Sequence, residues 1–160
     1  EPLMQGAGQE NCRRPGTENV LEIVGLGKAC DIALRDLPAN SDHMQLMRDR
    51  LDAGLRERVP RLRVNGHTEK RLPNTLSASV QGVDANVLLA AIENKVAASA
   101  GAACHSGQVR ISHVLQAMNV PEEWARGTLR FSTGRITTQA DIDTAVAVVA
   151  GAVERLRCSL

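Results

Sequence analysis

The chain has 160 residues, of which 43% are hydrophobic and 23% charged, with a net charge of +1; that is enough for a domain with a real core and excludes wholesale disorder. Aromatic residues make up 1%, one Trp and one Phe with no Tyr, so the core must be aliphatic, and the stacking platforms and concentrated basic charge used by nucleic-acid binders are missing. Four cysteines at positions 12, 30, 104 and 158 show no CxxC spacing, which speaks against a structural zinc site and leaves a metal unexpected.

Residues 1 to 18 read as a loop rich in Gly and polar residues, in which Arg, Gly and Thr around Arg14-Pro15-Gly16-Thr17 are suited to wrapping an anion. From Val20, apolar positions including Ile23, Val24, Cys30, Ile32 and Leu34 follow a helical spacing up to Leu37-Pro38, where proline favours a stop. Cys30 is expected in a core and Lys28 on a solvated face. Asn40 or Ser41 is expected to cap a second helix carrying Met44, Met47, Leu51 and Leu55 toward the core, with its many charges on a solvated face. Pro60 ends it, and residues 61 to 66 alternate like a short strand. His67 is expected in a solvent-exposed loop.

Leu76, Ala78 and Val80 alternate with Ser77, Ser79 and Gln81, the pattern of a strand with one buried face. Asp84 is expected to cap a helix reaching Asn94, with Val87, Leu88, Ala91 and Ile92 on its apolar side. Val96-Ala97-Ala98 reads as a brief strand. Two short helical stretches follow, from Ile111 and from Pro121. Residues 128 to 132 alternate again, and Thr137 or Thr138 is expected to cap a last long helix with Ile142, Ala145, Val146, Val149, Val153 and Leu156 inward. The order predicts a mixed α/β sandwich with helices packed on a small sheet.

Between two strongly patterned segments lies Ser99-Ala100-Gly101-Ala102-Ala103-Cys104-His105-Ser106-Gly107, small residues around one cysteine and one histidine. A thiol reacts as thiolate, which needs partial exposure and a nearby positive charge or helix N-terminus. The loop by itself fits either such a nucleophile or a small cysteine that simply packs.

Four stretches then act together. Arg14-Pro15-Gly16-Thr17-Glu18-Asn19, Leu72-Pro73-Asn74-Thr75, the Cys104 loop, and Leu129-Arg130-Phe131-Ser132-Thr133-Gly134-Arg135-Ile136-Thr137-Thr138 resemble the C-terminal part of cysteine desulfurases and selenocysteine lyases, pyridoxal-phosphate enzymes of aminotransferase class V. The resemblance spans essentially the whole chain. Each motif alone is weak; four in one order at compatible spacing are specific.

The resemblance implies a fold-type I pyridoxal-phosphate enzyme, with residues 1–39 the end of the large cofactor domain and a bridging helix, and residues 40–160 the small C-terminal α/β domain. It assigns Cys104 as the catalytic thiolate that takes sulfur or selenium from L-cysteine or L-selenocysteine, leaving L-alanine. Arg130 becomes the partner of the substrate carboxylate and Asn74 a substrate-side residue. Thr17 matches the threonine that, in family dimers, reaches the cofactor phosphate of the other subunit. The role of His105 stays open. The Ala-Ala-Cys-His-Ser sequence leans toward selenocysteine-lyase-like members.

Departures matter as well. The family's cofactor-bearing lysine, its pyridine-nitrogen aspartate and the histidine over the cofactor ring lie upstream of the segment corresponding to Glu1, and neither Lys28 nor Lys95 sits in the expected context. Ala7 stands where the family usually has a glycine. The expectation is therefore a fragment of a longer enzyme, inactive alone, dimeric in full length, passing sulfur or selenium to an acceptor protein. A cytosolic location is expected, or an organellar one. No apolar run has membrane-spanning length and no signal-peptide pattern opens the chain, so neither membrane nor nucleic acid is expected as a partner. Two other readings remain: a cofactor-independent sulfur carrier that accepts a persulfide on Cys104, and an inactive interaction fragment.

Overall fold

The computed structural model describes residues 4–100 and 111–158. Two compact units divide the chain, Glu1–Pro38 and Ala39–Leu160. In the first, the four-residue turn α1 (Gln9–Cys12) holds Glu10, Asn11 and Cys12 at φ of 53°, 56° and 61°, the left-handed region that side chains rarely adopt. Asn19 then begins the long helix α2 (Val20–Arg58), its Oδ1 accepting the Glu22 N–H at 3.3 Å.

Pro38 does not stop the helix as its sequence suggests; α2 runs through it, and Asn40 and Ser41 lie inside the helix rather than capping a new one. Proline removes one bond, to the carbonyl four residues back. That carbonyl belongs to Leu34, a residue 75% exposed, so solvent is at hand to supply the lost donor. The apolar positions before the proline are not packed within this unit either. Ile23, Val24 and Leu34 are exposed, and so is Cys30, which is no core residue here.

The second unit is built on a four-stranded antiparallel sheet of order β1-β2-β4-β3, with β1 (Leu62–Val64), β2 (Thr75–Val80), β3 (Ser99–Ala100) and β4 (Thr128–Ser132). Alternation puts Leu76, Ala78 and Val80 of β2 and Leu129 and Phe131 of β4 on one face, all buried. Against them pack Met47, Leu51 and Leu55 of α2, Leu88 and Ile92 of α3 (Ala85–Ile92), and Ile142, Val146, Val149 and Val153 of α6 (Gln139–Cys158). Helices α2 and α6 meet closely at Gly54, where a Cβ would stand 2.8 Å from Val146 Cγ2. Arg50 spans the same pair with two bonds to Asp143, 3.0 and 2.9 Å.

Asp84 caps α3 as expected, its Oδ1 accepting from the amides of Asn86 and Val87 at 2.8 and 3.3 Å. Val87 itself is half-exposed rather than core, because the buried positions Ala85, Leu88 and Ile92 form a stripe that misses it. The strand expected at residues 96 to 98 begins later, at Ser99. Val96 is still engaged in the end of α3, its N–H bonding the Ile92 carbonyl at 2.9 Å.

The opposite face of the sheet is polar. Two short helices, α4 (His113–Ala117) and α5 (Glu122–Ala125), form a small second cluster of Leu115, Val120 and Ala125. Beneath α5, Ser79 and Thr128 are fully buried and share a 2.7 Å hydrogen bond, Asn65 Nδ2 donates to Ser79 at 2.8 Å, and Thr128 donates to the Trp124 carbonyl at 3.3 Å. Of the two threonines before α6, Thr138 is the cap. Its Oγ1 accepts the Asp141 N–H at 3.2 Å while Asp141 Oδ2 accepts from Thr138 N at 2.8 Å, the reciprocal pattern of a capping box. No helix among the described residues is long and apolar enough to cross a membrane.

Candidate active site

Arg130 lies in the middle of β4, directly opposite Ser77 of β2 on one side and Ser99 of β3 on the other. Residues paired across antiparallel strands point to the same face, so the guanidinium rises from the polar face of the sheet between two small hydroxyl side chains, with Ser132 and Thr75 one step along. Arg130 is exposed, and no carboxylate bonds it among the described residues. An arginine so placed keeps its planar donor fork free for a carboxylate from outside.

Asn74, in the Leu72-Pro73-Asn74-Thr75 stretch, stands one residue before β2, and this stretch is held at two carbonyls. Arg48 Nη1 donates to Leu72 O at 2.8 Å, and Thr133 N donates to Asn74 O at 2.9 Å. Asn74 Oδ1 accepts from Thr75 Oγ1 at 3.2 Å. Arg48 is buried, as is Asp52, which corrects the expectation that the charges on this part of α2 are all solvated. With Asp49, they and Arg71 form a network in which Arg71 Nη2 reaches Asp49 Oδ1 at 3.3 Å and Asp52 Oδ2 at 3.5 Å. Burying such charges is tolerated because each is paired.

The loop after β4 is pinned at both ends to one turn of α2. Thr133 Oγ1 donates to the Met44 carbonyl at 2.9 Å, and His43 Nε2 lies 2.8 Å from the Thr137 carbonyl. A carbonyl only accepts, so this imidazole nitrogen carries a proton. Thr137, which the sequence offered as a helix cap, instead accepts the Gly134 N–H at 2.8 Å and closes the turn. Neither His43 nor Thr133 stands out in the sequence, since their bonds join segments roughly 90 residues apart, 94 and 89 in the two cases.

The structure thus places Arg130 on β4 and Asn74 at the entry to the neighbouring strand β2. Thr17, in the first unit, is exposed and its hydroxyl has no hydrogen-bond partner among the described residues. Cys104 and His105 lie outside the described residues; in sequence, Cys104 follows Ser99, the cross-strand partner of Arg130, by five positions. His67 is exposed and accepts the amides of Glu69 and Lys70 at its Nδ1, both at 3.0 Å, a turn-forming role.

Residues 4–145 match the family model described as aminotransferase class-V. The chain belongs to that family. Among curated relatives, it is 42% identical over 157 residues to a cysteine desulfurase of Gluconacetobacter diazotrophicus, and 41% identical over 158 residues to the cysteine desulfurase NifS of Azotobacter vinelandii. Each alignment covers 98% of this chain and 39% of the relative, so the chain spans about two fifths of the length of the curated relatives it matches. Among solved structures, a NifS-like protein from Rickettsia africae superposes with a TM-score of 0.79 at 28% identity, covering 96% of this chain and 40% of that one. The mixed α/β unit with its antiparallel sheet therefore bears out the α/β fold expected from the sequence.

Proposed function

We propose that this chain is the C-terminal part of a pyridoxal-phosphate-dependent cysteine desulfurase, which removes sulfur from L-cysteine to give L-alanine and a persulfide on Cys104. In this reading residues 1–39 complete the cofactor domain and residues 40–160 form the small domain. Membership of class V and about 40% identity to cysteine desulfurases support the class of reaction. The single structural observation that carries it for this chain is Arg130, an exposed guanidinium on the polar sheet face, flanked by Ser77 and Ser99.

The described residues fit part of what the cofactor needs. Thr17 offers an unpartnered hydroxyl for a phosphate oxygen, from the second subunit of a homodimer. Arg130 offers its fork to the substrate carboxylate, fixing the amino acid at one end. The lysines at positions 28, 70 and 95 are all exposed, and none is enclosed as a cofactor-bearing lysine would be. When bound, pyridoxal phosphate supplies an electron sink that loosens the substrate Cα proton and its Cβ–sulfur bond. The Cys104 thiolate attacks the substrate sulfur: an S–S bond forms, the Cβ–S bond breaks with its electron pair left on the alanine fragment, and that fragment takes up a proton. A sulfur-acceptor protein then receives the persulfide sulfur, and the cytosol is the expected site of action.

L-Selenocysteine is the second substrate considered, on the strength of the Ala-Ala-Cys-His-Ser loop. The test compares alanine release from both amino acids by the full-length protein and its Cys104→Ala variant. The proposal expects alanine from L-cysteine with the wild type and its loss in the variant. Absence of alanine with the wild type, alongside persulfide formation on Cys104 from a separate sulfur donor, would replace it with the cofactor-independent carrier reading. Preserved selenide release in Cys104→Ala with collapsed sulfur release would restrict Cys104 to sulfur.

A further inference from the structure

We infer that Thr133 is a positioning residue for substrate binding, a clasp that fixes the spacing between Asn74 and Arg130; this rests on the desulfurase reading above. Thr133 is 6% exposed and stands three residues beyond Arg130, just past the end of β4. It makes two hydrogen bonds to two different segments. Its backbone N–H donates to the Asn74 carbonyl at 2.9 Å, extending the β2–β4 ladder one step past the Thr75–Ser132 pair. Its hydroxyl donates to the Met44 carbonyl at 2.9 Å and stands 3.5 Å from the Asn74 carbonyl.

The consequence is geometric. Strand ends fray, and the Asn74–Thr133 bond is the last rung at this end of β2 and β4. No further rung joins the two chains beyond it; past that point each is held only through α2, by Arg48 at the Leu72 carbonyl and by His43 at the Thr137 carbonyl, so the rung itself is where fraying would begin. The hydroxyl bond ties the rung to α2, whose Met47, Leu51 and Leu55 are anchored in the core. Asn74 and Arg130 are thereby held at one separation before any substrate arrives, and pre-set geometry contributes to binding by removing the cost of ordering. A valine at this position would keep the shape and the backbone bond while losing only the hydroxyl. The Met44 carbonyl lies within α2 and has its helical acceptor role besides, so Thr133→Val leaves no buried carbonyl without a partner and the fold should survive.

The experiment uses the full-length protein as wild type, Thr133→Val and Thr133→Ser, with two readouts: amide hydrogen exchange in residues 72–76 and 130–134, and kcat and KM for L-cysteine. The proposal expects Thr133→Val to speed exchange in those two segments only and to raise KM by about five-fold, the scale of one hydrogen bond. It expects kcat to change by less than about two-fold and Thr133→Ser to restore both. Unchanged exchange and KM in Thr133→Val would overturn it. So would faster exchange throughout α3 and α6 that serine fails to restore, which marks a merely structural role. A wild type that makes no alanine from L-cysteine would sink the functional reading instead, and the exchange comparison would still decide whether the clasp exists.

Discussion

Gly127 is packed so closely on the chain turn before α3 that a Cβ there would collide with the Val80 carbonyl oxygen and stand 2.7 Å from that of Val83, while its own carbonyl receives the Val80 N–H at 2.9 Å. The residue immediately precedes β4, two positions before the buried Leu129. Both neighbouring atoms are backbone and have nowhere to move. Gly127→Ala should therefore destabilise the second unit by about 2 kcal/mol or more, read as a lower urea midpoint with an unchanged slope. A midpoint within error of wild type would show that the turn at Val80–Val83 yields.

The capping box at the start of α6 makes an acid-sensitive contact. The Thr138 backbone N–H, and secondarily its hydroxyl, holds the Asp141 carboxyl below its ordinary pKa. A depressed carboxylate contributes stability above the unfolded-state value and loses it as pH falls through the folded one. Thr138→Ala should move the Asp141 titration part of the way back up, as followed by carboxyl NMR shifts. Loss of the cap should also cost about 1 kcal/mol of stability at neutral pH. An Asp141 titration unaffected by the substitution would contradict the assignment.

Arg130→Lys should keep the fold, since the side chain is exposed, while removing the planar fork. For the full-length protein the expected outcome is a KM for L-cysteine raised about ten-fold or more, with a smaller change in kcat and an unchanged melting temperature. Equal falls in kcat and kcat/KM with KM intact would place Arg130 in the transition state alone.

Neighbouring residues of α3 should differ sharply. Leu88 is 0% exposed and Val87 51%. Leu88→Ala should cost about 2–5 kcal/mol and Val87→Ala less than about 0.5, compared by thermal or urea unfolding. Similar losses at the two positions would mean that Val87 is covered in solution.

The sequence made the sheet legible where one face is buried and the other polar: Leu76, Ala78 and Val80 against Ser77 and Ser79, and Leu129 and Phe131 against Arg130 and Ser132. It also showed Asp84 as a cap, because a cap is a contact over three residues. It misplaced what depends on distance along the chain. Proline at position 38 looked like a stop because local preference cannot register how readily an exposed carbonyl finds water. Cys30 looked like core because helical periodicity marks a face without saying what covers it. Arg48 looked solvated because its partner, the Leu72 carbonyl, lies 24 residues away. In the candidate site, Arg130 and Asn74 were visible through their motifs, whereas the roles of Thr133, in the same motif as Arg130, and of His43 were not, their partners being backbone carbonyls of remote segments.

The strand order has a consequence for how the chain is made. β4, the last of the four strands to be synthesised, sits in the interior of the sheet between β2 and β3. On a growing chain β2 has only the three-residue β1 for company until residues 128 to 132 emerge, and Ser79 must wait 49 residues for Thr128. During that interval an apolar strand edge stands open, the kind of surface that nascent chains lose to aggregation or shield with chaperones. Translation arrested anywhere between β2 and β4 should therefore leave the sheet unformed and the product prone to aggregate, whatever the state of the helices already made.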